Sequence, residues 1–128
     1  MNKIIIIEDD IAICNMIKKF LENNKYSVQY ALNGIEGIHL CKSFVPDLII
    51  LDIMLPGLNG DDVLQKLRKF TNAPVIVVSA KTMVQTKIEL LKMGADDYMT
   101  KPFDLYELLA RIEANLKRTV DNPYQNNN

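Results

Sequence analysis

The chain has 128 residues, 48% hydrophobic and 24% charged, with a formal net charge of −1. That length supports one buried core and is too short for two ordinary domains. Fifteen basic against sixteen acidic residues exclude a chain that grips a phosphate backbone by itself, and five Gly with five Pro exclude a collagen-like or low-complexity polymer. The longest apolar runs fall far short of the ~20 residues of a membrane span. Met1-Asn2-Lys3 leads straight into an apolar run with no secretory signal, so a reducing cytoplasm and no membrane contact are expected.

Short apolar runs alternate five times with segments of helical periodicity. Lys3 to Ile7 is a β-branched run, the pattern of a strand buried on both faces, and it ends in Glu8-Asp9-Asp10. From Ile11 to Asn23, Ile13, Met16, Ile17, Phe20 and Leu21 recur at spacings of three and four, which predicts an amphipathic helix capped by Asp10. Tyr26 to Ala31 alternates like a strand, and Gly34 to Phe44 returns to helix with Ile35, Ile38 and Cys41 on one side. Leu48 to Leu51 is a third strand running into Asp52. Pro56, Gly57, Asn59 and Gly60 supply turn chemistry before a helix over roughly 62–70. Pro74 to Ser79 is the fourth strand and Val84 to Met93 the fourth helix, with Gly94 as its C′ residue. Asp97 to Thr100 is a short fifth strand. Asp104 caps a last helix carrying Leu105, Leu108, Leu109, Ile112 and Leu116. Residues 1–120 therefore read as one domain and 121–128 as a polar tail.

Five strand–helix units predict an α/β fold, a doubly wound (βα)5 parallel sheet with helices on both faces. Function in such folds gathers at the carboxyl ends of the strands. The first strand ends in Glu8 and Asp9, the third in Asp52, the fourth in Ser79, and Lys101 follows the fifth. In the order 2-1-3-4-5 the first and third strands are neighbours, which gathers three carboxylates. Their repulsion calls for a cation, and an oxygen-only donor set suits Mg²⁺. Lys101 adds a fixed positive charge and Ser79 a hydroxyl, a set able to stabilise a transferring phosphoryl group. Asp52 is the candidate nucleophile, since carboxylates form aspartyl-phosphates. Taken singly these are a helix cap, a turn residue, a loop hydroxyl and a surface lysine; four strand ends converging favour a site.

Four ordered motifs make the sequence resemble the receiver domain of bacterial response regulators: Ile-Ile-Glu8-Asp9-Asp10, Leu-Asp52-Ile-Met-Leu-Pro56-Gly-Leu-Asn-Gly60, Val-Val-Ser79-Ala80 and Gly94-Ala-Asp-Asp-Tyr98-Met-Thr-Lys101-Pro102-Phe103. The resemblance implies the flavodoxin-like receiver fold and a signalling phosphoacceptor rather than an enzyme with an external substrate. Asp52 would accept a phosphoryl group from a sensor histidine kinase. Glu8, Asp9, Asp52 and the backbone carbonyl of Met54 would hold Mg²⁺. Lys101 would pair with the phosphoryl oxygens, before a cis bond to Pro102. Ser79 would swing toward the phosphate while Tyr98 turns from exposed to buried. Glu8 replaces the aspartate of many members, and Ser79 the commoner threonine, keeping the hydroxyl. Met54 and Lys81 would flank the line along which water attacks.

Ala95 to Phe103, with Leu108 to Arg111, further resembles the OmpR/PhoB branch, whose members carry a winged-helix DNA-binding domain. The resemblance implies homodimerisation of the phosphorylated state through the fourth helix, fifth strand and fifth helix. Ile88, Leu91 and Ala110 match the apolar patch of that face, and Lys87, Asp97, Glu107 and Arg111 its charged partners. Lys92 and Glu113 reverse the usual signs of one further pair. The tail from Asp121 then reads as the start of a linker to a DNA-binding domain outside this segment. A Mg²⁺-dependent phosphohydrolase is the alternative from another class, but the second acid it would carry two residues past the nucleophile is here Met54. A single-domain receiver acting by protein contact is a third reading. His39 has no metal-ligand company, and Cys14 and Cys41 read as small apolar packing groups.

Overall fold

A computed structural model describes residues 1–80 and 84–121, with the side chains at 84, 85, 120 and 121 left aside. The elements are β1 (Lys3–Ile7), α1 (Ile11–Asn23), β2 (Ser27–Ala31), α2 (Gly34–Phe44), β3 (Leu48–Asp52), α3 (Gly60–Leu67), β4 (Val75–Ser79), α4 (Val84–Lys92), β5 (Asp97–Thr100) and α5 (Leu105–Asp121). The strands form one parallel sheet, as the alternation predicts, in the order β2-β1-β3-β4-β5 of the receiver fold that the sequence resembles.

β1 shows why these runs are strands buried on both sides. Ile5 and Ile7 join a core with Cys41, Val63, Leu64, Leu67 and Leu90 from α2, α3 and α4. Ile4 and Ile6 face the opposite core, with Cys14, Ile17 and Leu21 of α1 and Leu108 and Ile112 of α5. Each enclosed isoleucine contributes about 1.5–3 kcal/mol. Both cysteines are buried, free thiols; burial foremost pushes each up to about 12, so they behave as small apolar groups.

Helix ends follow the expected chemistry at three places. Asp10 accepts hydrogen bonds from the amides of Ala12 (3.0 Å) and Ile13 (3.3 Å). Asp104 does the same for Tyr106 (2.7 Å) and Glu107 (3.3 Å). Gly94 follows α4 at a φ of 114°, where a side chain would be strained.

Other expectations need correction. In α1, Cys14 is buried where Met16 was expected; Met16 is half-exposed. In α2, Cys41 is buried and Ile38 packs against the core as expected, but Ile35 is 60% exposed and Gly34 and Gly37 face inward. The reason is close approach: a Cβ on Gly37 would come within 2.6 Å of Ile7 Cδ1, so the helix meets the sheet through its glycines. α3 begins two residues early, at Gly60, where a Cβ would lie 2.7 Å from the Asp52 carbonyl oxygen. The chain keeps turning to Phe70, but Lys69 and Phe70 bond to Lys66 and Leu67, three residues back, so the α-helix stops at Leu67. β2 and β4 each start one residue late and α4 stops one residue early. α5 runs on to Asp121, so that residue belongs to the helix and not to a tail; residues 122–128 lie outside the described residues.

Candidate functional site

Register brings the site together. Ile7 of β1 pairs with Leu51 of β3, so Glu8 and Asp52 sit one residue beyond, side by side. Asp52 pairs with Val78, and Ser79 with Thr100, which sets Ser79 and Lys101 along the same sheet edge. The amide of Lys101 donates to the Ser79 carbonyl at 2.8 Å. Carboxylate oxygens of Glu8, Asp9 and Asp52 all lie within 4.8 Å of one another. Glu8 and Asp52 are buried; Asp9, on the loop into α1, is exposed.

Lys101 spans the two buried acids. Its Nζ donates to Glu8 Oε1 at 2.6 Å and to Asp52 Oδ2 at 3.0 Å. The remaining oxygens are held by backbone: Met54 N–H donates to Asp52 Oδ1 at 2.9 Å, and Asp10 N–H to Glu8 Oε2 at 3.2 Å. Cys14 Sγ donates to the Glu8 carbonyl at 3.3 Å. Burial foremost pushes the Glu8 carboxyl up to about 7; Lys101 pulls it back, and Asp52 and Asp9 push it up. Burial lowers the Lys101 ammonium, but its bonds to Glu8 and Asp52 outweigh this and hold it above the ordinary lysine value.

The donor set tests a metal directly. Three carboxylates meet with no nitrogen or sulfur ligand among them, and one lysine does not neutralise them. That is the environment of a hard divalent cation, and it fits Mg²⁺.

Ser79 is fully buried at the end of β4. Tyr98 is also buried, with Lys87 Nζ 5.4 Å from its ring centroid, so its ring already holds the buried position that the sequence resemblance links to the switched state. The Lys101–Pro102 bond is cis. Met54 is 55% exposed beside Asp52, while Lys81 lies outside the described residues.

On the α4–β5–α5 face, Ile88 and Leu91 are 41% and 48% exposed, and Ala110 is exposed. Within one chain Arg111 pairs with Asp97 at 2.6 Å and with Glu107 at 3.3 Å. Lys92 is exposed on α4. Glu113 lies two residues past Arg111, about 200° around the helix. It is exposed on α5, and after burial its charge is what raises the Tyr26 phenol.

Two residues escaped the sequence reading. Asn115 is buried on α5 and donates to Asp97 Oδ2 at 3.2 Å, a polar residue at a core register of an otherwise apolar stripe. Arg68, just after α3, donates to the carbonyls of Gly94 (2.9 Å) and Ala73 (2.8 Å) and pairs with Asp96 (2.8 Å), fastening the α4–β5 turn to the start of β4. No local pattern marks either, because Gly94 and Asp96 for Arg68 and Asp97 for Asn115 are distant in sequence.

Residues 4–113 match the family model described as the response regulator receiver domain. The chain is 46% identical over 122 residues to the DNA-binding dual master transcriptional regulator RpaA of Synechocystis sp., covering 93% of this chain and 51% of that protein. It is 42% identical over 118 residues to response regulator ArlR of Staphylococcus saprophyticus, covering 92% and 54%. The chain thus spans about half the length of these curated relatives. Among solved structures, a Francisella response regulator receiver domain superposes with a TM-score of 0.88 at 40% identity, covering 93% of this chain and 99% of that one. The BeF3-activated N-terminal receiver domain of Klebsiella pneumoniae RstA gives 0.86 at 32% identity, covering 91% and 99%. Among the described residues no helix is long and apolar enough to cross a membrane. The strand-end acids, the lysine that joins them and these matches agree: the chain belongs to the response regulator receiver domain family of two-component systems.

Proposed function

We infer that Asp52 is a phosphoryl acceptor served by a sensor histidine kinase, and that its phosphorylation switches the α4–β5–α5 face. The observation that carries this is the convergence of Glu8, Asp9 and Asp52 within 4.8 Å, with Lys101 paired to Glu8 and Asp52. Glu8, Asp9, Asp52 and the Met54 carbonyl would hold Mg²⁺, which supplies positive charge against the developing phosphoryl charge when bound.

Met54 N–H fixes one oxygen of Asp52 and Lys101 holds the other, so the carboxylate is aimed before any donor arrives. A carboxylate oxygen attacks phosphorus. The new O–P bond forms as the N–P bond of the donor phosphohistidine breaks, and the imidazole leaves with the electron pair and takes up a proton. Lys101 passes from Asp52 to the phosphoryl oxygens, and Ser79 donates its hydroxyl to another. Ser79 and Tyr98 lie on neighbouring strands, β4 and β5, so movement at one strand end reaches the surface formed with α4 and α5.

The chain then acts as a switch rather than as an enzyme on an external substrate. Exposed Ile88 and Leu91 with charged neighbours suit a weak, phosphorylation-dependent homodimer better than a permanent one. The name of RpaA, a DNA-binding transcriptional regulator of which this chain covers 51%, supports control of transcription. In the manner of the OmpR/PhoB branch, that control would run through a C-terminal DNA-binding domain beyond residues 1–120, in the cytoplasm. Asp9→Ala is expected to lose metal-dependent phosphorylation and keep its fold; unchanged Mg²⁺ affinity by calorimetry would refute the metal role. Sedimentation with Mg²⁺ and beryllofluoride should show a dimer in the parent and a weaker one in Arg111→Glu. Equal dimerisation in that variant would remove Arg111 from the interface.

A further inference from the structure

Beside the acid cluster, the loop from β3 to α3 faces α4 across a cleft of about 540 Å³. Its walls include Asp9, Met54, Asp61, Thr86, Glu89 and Met93. Asp9 belongs both to the cluster and to the cleft, so the cleft opens onto the carboxylates around Asp52. Asp61 stands in the first turn of α3 and Glu89 in the middle of α4, on opposite walls. Among the described residues no lysine or arginine pairs with either. No ion pair among the described residues cancels their charges, and an anion using this approach meets both.

We propose that Asp61 and Glu89 determine phosphoryl-donor choice by repelling small dianionic donors from the cleft beside Asp52. The proposal rests on the reading of Asp52 as acceptor. For a small acyl phosphate the step is the same displacement: an Asp52 oxygen bonds to phosphorus, the P–O bond to the acyl group breaks, and the carboxylate leaves with the electron pair. Neither Asp61 nor Glu89 takes part in it. They act on the encounter, through the field along the entry path.

A unit charge about 10 Å from a dianion in water changes its local concentration about threefold at low ionic strength. The effect halves in the exponent for a monoanion, and at about 1 M salt, with a Debye length of about 3 Å, it disappears. Donor charge and salt together therefore separate this mechanism from a change in structure.

The experiment compares the parent with Asp61→Asn, Glu89→Gln and the double variant, following phosphoryl addition by intact mass in Mg²⁺. Acetyl phosphate serves as the dianionic donor, and phosphoramidate, a monoanion with a protonated nitrogen, as the less charged one. Each single variant is expected to accelerate acetyl phosphate about threefold at low salt, with a smaller gain for phosphoramidate and none at about 1 M salt. Unchanged acetyl phosphate rates would overturn the proposal, as would equal gains for both donors or gains that persist at high salt. A parent chain that takes no phosphoryl group from either donor would overturn the acceptor reading of Asp52 itself.

Discussion

Lys101 lies closer to Glu8, at 2.6 Å, than to Asp52, at 3.0 Å. The ammonium thus makes its shorter bond to the buried acid that is not the proposed nucleophile, and leaves Asp52 the weaker constraint. Lys101 is a stand-in for part of the charge that three converging carboxylates demand.

Glu8 makes metal-free stability depend on pH in a defined direction. Its carboxyl is pushed from 4.5 up to about 7 in the folded chain. Between those values the native state keeps a proton that the unfolded chain has released, so stability falls as pH rises through this window. The loss is on the order of 2–3 kcal/mol. Glu8→Gln should flatten that part of the profile and be the more stable protein at about pH 8. Urea unfolding in chelator from about pH 5 to pH 8 measures it. A parent and variant with parallel profiles would contradict the assignment.

Val45 closes α2 in the left-handed region, at φ 50° and ψ 77°, while 65% exposed. A β-branched side chain is strained there, and glycine is not. Val45→Gly is expected to stabilise the chain by about 0.5–1 kcal/mol, read as a higher urea midpoint with unchanged slope. A lower midpoint would show that the exposed side chain contributes packing that outweighs its backbone strain.

In the proposed switch, the lifetime of a phosphoryl group on Asp52 would depend on water reaching it in line. Met54, half-exposed beside Asp52, is apolar and can neither orient a water nor accept its proton. Met54→Asn should speed self-dephosphorylation on the order of tenfold, or ~1.4 kcal/mol of barrier. Intact mass followed after donor removal gives the rate. Equal or slower loss would mean that water access at this position does not set the lifetime.

How much could be read from the sequence follows from how local each signal is. The strands were legible because they are short apolar runs, and Glu8, Asp52, Ser79 and Lys101 stood out because all lie at strand ends. The strand order came from the resemblance to the receiver fold, since no local pattern encodes it. On α2, Ile38 and Cys41 were placed correctly but Ile35 was misplaced, because it fits the periodicity whereas Gly37 is what permits the helix to approach Ile7. Arg68 and Asn115 were missed because Gly94, Asp96 and Asp97 reach them only through the fold. The pairing of Arg111 with Asp97 and Glu107 inside one chain was likewise invisible: sequence shows complementary charges but not whether they meet within a molecule or between two.

The most direct test of the central claim is the intact mass of the parent and of Asp52→Asn after incubation with Mg²⁺ and an acyl phosphate. The account predicts one added phosphoryl group on the parent and none on the variant, with both chains folded. An Asp52→Asn chain that still gains the phosphoryl mass would contradict it.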